Sequence, residues 1–180
     1  MRVYLIRHAE SIANVDKDAY NRILDHDIPL TKRGEYDATT LGKIYYKLER
    51  VDAIYCSPYK RARQTAEWAK FTPYSENPLL REREWGTLRE EIESSEFDAS
   101  KHFNFYYRPQ NGESFADLYQ RVITFFNMLK VTHDDDEKIV LVTHGEWIKM
   151  ALMYYFNHTV DYVEKNHSNV KNCEVVTIEL

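Results

Sequence analysis

Arg7-His8, Arg61 and His144 are residues whose types can do chemistry together. An arginine presents a planar fork of donors that matches phosphate oxygens and stays charged at every working pH. A neutral imidazole is a good nucleophile toward phosphorus and forms a phosphohistidine that water later hydrolyses. Two arginines and two histidines therefore describe a pocket for a phosphoryl group, with the arginines stabilising the charge on the group in transfer. A leaving alkoxide also needs a proton. The stretch "LREREWG" supplies Glu82 and Glu84, and a carboxyl group partly desolvated by a lid has its pKa raised toward neutrality, as a general acid requires.

These groups need elements that deliver them to one place. Met1 to Ile6 is rich in Val, Tyr, Leu and Ile and reads as a short buried strand ending at Arg7-His8. "VDAIYCS" reads as a second strand. Ser57-Pro58 then offers an N-cap hydroxyl and a proline at the first helical position, which predicts a helix starting at once and carrying Arg61. "IVLVT" is almost wholly apolar, as an interior parallel strand should be, and leads into His144 and a helix from Gly145 to Phe156. Ala38, Leu41, Tyr45 and Leu48 recur at helical spacing. Ser114 with Asp117 opens a helix whose apolar face carries Phe115, Leu118, Val122, Phe125, Phe126 and Leu129. "CEVVTIEL" closes the chain as a final strand, with Cys56 and Cys173 both read into strands.

Alternating strands and helices argue for an α/β fold, a three-layer α/β/α arrangement with a mostly parallel sheet. Ligands bind such sheets at the carboxyl edge of the strands, where the helix starts near Pro58 and Gly145 also favour an anion. The stretch 72–113 shifts in composition, with prolines, charges of both signs and aromatics from Phe97 to Tyr107, and reads as a lid or insertion in a single domain over 1–180.

Composition narrows the function classes. The 180 residues include 24 basic and 29 acidic side chains, a formal charge of -5, so no global attraction to nucleic acid or an anionic membrane is expected. No apolar run is long enough for a membrane span, the charged N-terminus does not suit a signal peptide, and the expected location is cytoplasmic. The five glycines form neither a dinucleotide-binding nor a P-loop pattern. Two triplets, His8-Ala9-Glu10 and His144-Gly145-Glu146, have an H-x-E form, but no further cysteine or histidine partners complete a zinc site, and no metal is expected. His26, His102, His133, His158 and His167 have no matched partner and are assigned surface or loop roles. No heptad seam announces an oligomer, and the oligomeric state is left open.

"LIRHAESIAN", "SPYKRARQTAE", "LREREWG", "GES" and "VTHGE", in this order, resemble the histidine phosphatase superfamily, the phosphoglycerate mutase-like family, from about Arg2 to about Trp147, and more loosely its phosphatase-like branch. The resemblance implies that His8 is the phosphorylated nucleophile, that Arg7, Arg61 and His144 complete the phosphate pocket, and that Glu82, rather than Glu84, is the proton donor. It also implies that Asn14 contacts the phosphoryl group and that Ser11 lines the entrance. It implies no cofactor and a small phosphorylated metabolite as partner, with hydrolysis as the reaction. A mutase that returns the phosphoryl group to a bound product and a catalytically silent phosphate-binding module are the alternatives. Ala9 departs from the family's usual glycine, which matters only if φ there is positive. The lid cations Arg81, Arg83, Arg89, Lys101 and Arg108 are candidates to read a second phosphate or carboxylate.

Overall fold

The structure, a computed structural model, describes residues 1–45, 51–94, 98, 104–165 and 170–180. Among these, β1 (Arg2–Arg7) is followed by a short helix α1 (Ile12–Val15) and two 3-10 turns, Lys17–Asn21 and Asp25–Asp27. Next come α2 (Lys32–Tyr45), β2 (Ala53–Cys56), α3 (Lys60–Trp68), β3 (Ser75–Glu76), a 3-10 turn at Pro78–Leu80 and α4 (Leu88–Glu93). The chain continues through α5 (Phe115–Thr132), β4 (Lys138–Thr143), α6 (Gly145–Tyr155), α7 (Val160–Lys165) and β5 (Val175–Glu179). Leu48, Phe97, Lys101, His102, Phe103 and His167, singled out in the sequence, lie outside the described residues.

The described strands form one sheet in the order β3-β2-β4-β1-β5. β4 pairs in parallel with β1 on one side and β2 on the other, while β5 runs antiparallel along β1. The register sets Arg7 beside Thr143 and Cys56 beside Val142. Three strand ends therefore stop at one level, and the residues after them, His8, Ser57 and His144, are delivered to one edge.

Alternation along the strands builds the two outer layers, because successive side chains point to opposite faces. Val3, Leu5, Ile139 and Leu141 share a buried cluster with Phe125 and Phe126 of α5 and with Trp147 and Ile148 of α6. Ile6, Val140, Val142 and Cys56 face the other way, onto Leu41 of α2 and Ala62 and Ala66 of α3. Trp147 is fully buried, with its ring edge-to-face on both Phe125 and Phe126. Burying a side chain of this kind stabilises by about 1.5–3 kcal/mol. The α/β, three-layer, mostly parallel expectation is met.

Four local expectations are corrected. α3 starts at Lys60 with Tyr59 in the cap position, two residues later than Ser57-Pro58 predicted. The Ser57 hydroxyl does accept the Tyr59 amide at 3.3 Å, but it also bonds His144, and that second partner keeps it at the strand edge. Cys173 is in no strand; it precedes β5 with φ 58° and is half-buried. The stretch read as a lid is partly woven into the fold, with β3 pairing beside β2 and Phe105 buried in the main core. His133 is no loop residue free of partners: Nε2 bonds the Tyr55 hydroxyl at 2.9 Å and Nδ1 the Glu137 carboxylate at 2.6 Å. Ser114 and Asp117, by contrast, form the expected reciprocal cap on α5.

Candidate active site

His8 leaves β1 and is buried. Its Nδ1 lies 2.7 Å from the Ala9 carbonyl oxygen, which can only accept, so Nδ1 carries the proton and Nε2 keeps its lone pair. Burial holds the imidazole's pKa well below its ordinary value, and the positive fields of Arg61 and Arg7 push it further down. The ring is thus neutral, the form a nucleophile needs. The loop that sets it is pinned from α3: the Ala9 amide donates to Thr65 Oγ1 at 2.9 Å, and that hydroxyl donates to the Arg61 carbonyl at 2.7 Å. Ala9 is absent from the positive-φ positions, and its methyl packs with Leu30 and Ala38. Alanine therefore fits there without strain.

His144 caps α6, its ring centroid 5.2 Å from that of His8. Its Nε2 meets the Ser57 hydroxyl at 2.7 Å, and its Nδ1 is buried without a partner among the described residues, as is Arg7 Nε. Unsatisfied buried polar atoms are costly, so two in one place mark where a polar ligand is accommodated. Arg7 is anchored by its Nη1, which donates to the Val170 carbonyl, and its Nε lies under Gly145, the first residue of α6. Arg61 is buried and donates through Nη1 to the Asp25 carbonyl at 2.6 Å and the Asp25 carboxylate at 2.8 Å.

Glu82 is buried within the field of Arg7 and Arg61. Its carboxylate accepts the Arg83 amide at 3.1 Å and the Glu146 amide, in the first turn of α6, at 3.3 Å. Burial raises its pKa from 4.5 to about 7, helped by the Glu146 charge and opposed by Arg61. The segment carrying it is clamped by Arg121, whose guanidinium donates to the carbonyls of Leu79, Arg81 and Glu82 while pairing with Glu113 at 2.7 Å. Thr143 and the Trp147 indole N–H each add a 2.8 Å bond, to Leu80 and Leu79. Glu84 makes different contacts: its side chain turns back to the Gly86 amide at 3.4 Å.

Asn14 and Ser11 stand together at the start of α1, the Asn14 side-chain oxygen accepting from the Ser11 amide at 2.9 Å and hydroxyl at 3.0 Å. Asn172 donates to the His8 carbonyl at 2.9 Å and reaches Asn14 at 3.3 Å. The two H-x-E carboxylates are committed elsewhere: Glu10 accepts from the Thr31 hydroxyl at 2.7 Å, and Glu146 holds the buried Arg83 at 2.8 Å. Among the described residues no group of three His, Cys, Asp or Glu side chains is placed to hold a metal ion.

The structure thus gathers Arg7, His8, Arg61, Glu82, His144 and Gly145 at one edge, with Ser11 and Asn14 beside them. Three participants were not legible in the sequence. Ser57 was visible only as a helix cap, Asp25 lay in an unpatterned polar stretch, and Asn172 carries no local signal at all.

A family model described as "Histidine phosphatase superfamily (branch 1)" matches residues 3–180. The chain belongs to the histidine phosphatase superfamily. It is 30% identical over 208 residues to a phosphoglycerate mutase-like protein of Arabidopsis thaliana, covering 99% of this chain and 74% of that one. Among solved structures it superposes on Bacillus stearothermophilus YhfR with a TM-score of 0.84 at 30% identity, covering 99% of this chain and 91% of the other. It also superposes on the alpha-ribazole phosphatase of Shigella flexneri with a TM-score of 0.79 at 26% identity, covering 100% and 91%. The chain is an enzyme of the histidine phosphatase type. No helix among the described residues is long and apolar enough to cross a membrane.

Proposed function

We propose that this histidine phosphatase superfamily member hydrolyses a small phosphorylated metabolite through a phosphohistidine on His8. The observation that carries the reading is the opposed protonation of two groups in one pocket. His8 is held neutral with its Nδ1 proton on the Ala9 carbonyl and the Nε2 lone pair left for the substrate, while Glu82 is held as a weak acid near pH 7. That pairing suits a nucleophile and a general acid.

In the first step the Nε2 lone pair forms the N–P bond as the P–O ester bond breaks, and the Glu82 proton passes to the leaving alkoxide oxygen. Arg7 and Arg61, with the buried donors around them, stabilise the equatorial oxygens. In the second step a water oxygen attacks phosphorus, the N–P bond breaks, and the water proton returns to the Glu82 carboxylate. Asn14 and Ser11 would contact the phosphoryl group from the entrance, and Gly145 presents an α6 amide to it. A phosphate-release screen over a metabolite panel, with wild type and His8→Ala side by side, tests this. Release by wild type and none by the variant is expected; equal release by both would sink the mechanism.

A further inference from the structure

The described arginines of the 72–113 stretch are spent on carboxylates: Arg83 is paired with Glu146, Arg89 with Asp25 and Arg108 with Asp117. Lys149, on the second turn of α6, is not. It is half-buried, and among the described residues its ammonium makes no ion pair or hydrogen bond; its Nζ lies 5.5 Å from the Phe115 ring centroid. Glu146, one turn earlier, is held by Arg83 through both carboxylate oxygens, at 2.8 and 3.2 Å. Burial pushes the Lys149 ammonium's pKa down, opposed by the Glu146 charge and reinforced by Arg83. A bound anion relieves a charge in that position.

Lys149 lines a cavity of about 260 Å³ between α6, α7 and β5. Its walls are apolar, built from Leu152 and Met153 of α6, Val163 of α7, Val170, and Val176 of β5. Phe156, His158 and Tyr162 line it as well, the His158 ring stacked on Tyr162 at 3.9 Å and 5.4 Å from the Phe156 ring. Phe156 and Tyr162 are 58% and 46% exposed, so aromatic surface beside the cavity is left to solvent. Among the described residues the lining holds one acidic side chain, Glu174, which is exposed and accepts the Lys171 amide. The charge left without a counterpart is therefore positive. Val170 also supplies the carbonyl that anchors Arg7, so the cavity abuts that anchor while containing none of Arg7, His8, Arg61, Glu82 or His144.

Apolar walls, a stacking ring and one polar group that fixes orientation are what a small-molecule site consists of. The volume lies just under the roughly 300–1,000 Å³ of sites for drug-sized ligands, which suits a compact ligand with a single ring. We propose that this cavity is a second binding site, separate from the phosphate pocket, for a compact organic monoanion, with an apolar ring against Met153, Val176 and the stacked His158 and its carboxylate on Lys149 Nζ.

The test titrates phenylacetate and its neutral amide, phenylacetamide, into protein carrying carbon-13 methyl-labelled methionine. Met153 is the one methionine among the described lining residues, and Met153→Leu assigns its signal. Ligands of this size bind at about the millimolar level. Losing a hydrogen bond to a charged group costs roughly tenfold in affinity. Phenylacetate should move the Met153 signal saturably in wild type, with a Kd at least about tenfold below that of the amide. That preference should collapse toward one in Lys149→Met and persist in Lys149→Arg. A Met153 signal that phenylacetate leaves unmoved up to roughly 20 mM overturns the site. A wild-type ratio near one, or a preference that survives Lys149→Met, overturns the anion assigned to it.

Discussion

Replacing Glu82 by Gln removes one proton donor and leaves the shape of the pocket nearly intact. With its pKa at about 7, Glu82 is roughly nine-tenths protonated at pH 6, whereas a carboxyl at 4.5 would be about 3% protonated, so burial enriches the acid form about thirtyfold. The first chemical step needs that proton. For an alkyl phosphate, kcat/KM should hold on the acid side and fall as pH rises through about 7. Glu82→Gln should lose about 10²–10⁴-fold at pH 6, the range for general acid catalysis, and lose that alkaline limb as well. For p-nitrophenyl phosphate, whose phenolate leaves without a proton, the loss should be much smaller. The assay is a pH–rate profile of wild type and variant on both esters. A limb near 7 that persists in Glu82→Gln, or equal losses on the two leaving groups, would refute the assignment of Glu82 as the acid.

Other consequences concern stability and binding. The folded state holds the Glu82 proton more tightly than the unfolded chain, so Glu82's contribution to stability is full at acid pH and lost as pH rises through about 7. The Tm of Glu82→Gln relative to wild type should therefore be higher at pH 8 than at pH 5, read by thermal unfolding. Arg61→Ala should cost about 10²–10³-fold in kcat/KM, because it removes a donor to the transferring group; steady-state kinetics on any accepted ester checks it. Arg121→Met takes the guanidinium away from Glu113 and from the carbonyls of Arg81 and Glu82, while Leu79 keeps the Trp147 indole N–H, which should cost about 3 kcal/mol, or roughly 6–12 °C in Tm. Ala9→Gly should cost about 1 kcal/mol of stability and change kcat/KM less than threefold, since the backbone there already suits alanine. A large gain in activity would show that the methyl distorts the loop.

Much of the site was legible because parallel strands place their carboxyl ends on one edge. Once "IVLVT" and the first strand are read, His144 and Arg7-His8 must be neighbours, and β1–β4 pairing puts Arg7 beside Thr143. Glu82 could be nominated but not separated from Glu84 by spacing alone. The difference is tertiary: Glu82 meets an α6 amide, while Glu84 curls onto Gly86. The start of α3 was misplaced because Ser57 has the chemistry of a cap, yet its hydroxyl is also drawn to His144, 87 positions away in sequence. Asp25 and Asn172 act through contacts of 36 and 164 residues' separation, and no local pattern encodes such partners. β5 was found as a strand, but its antiparallel direction depends on how the chain returns from α7, which periodicity does not report.

The central claim is a covalent bond between phosphorus and His8 Nε2. Rapid acid-free quenching during turnover of an accepted phosphomonoester, followed by peptide mass spectrometry, reads it directly. Phosphate on the peptide containing His8, labile to acid, stable to base and absent from His8→Ala, is the predicted result. Turnover at full rate with no phosphohistidine trapped, or with the label on another residue, would contradict it.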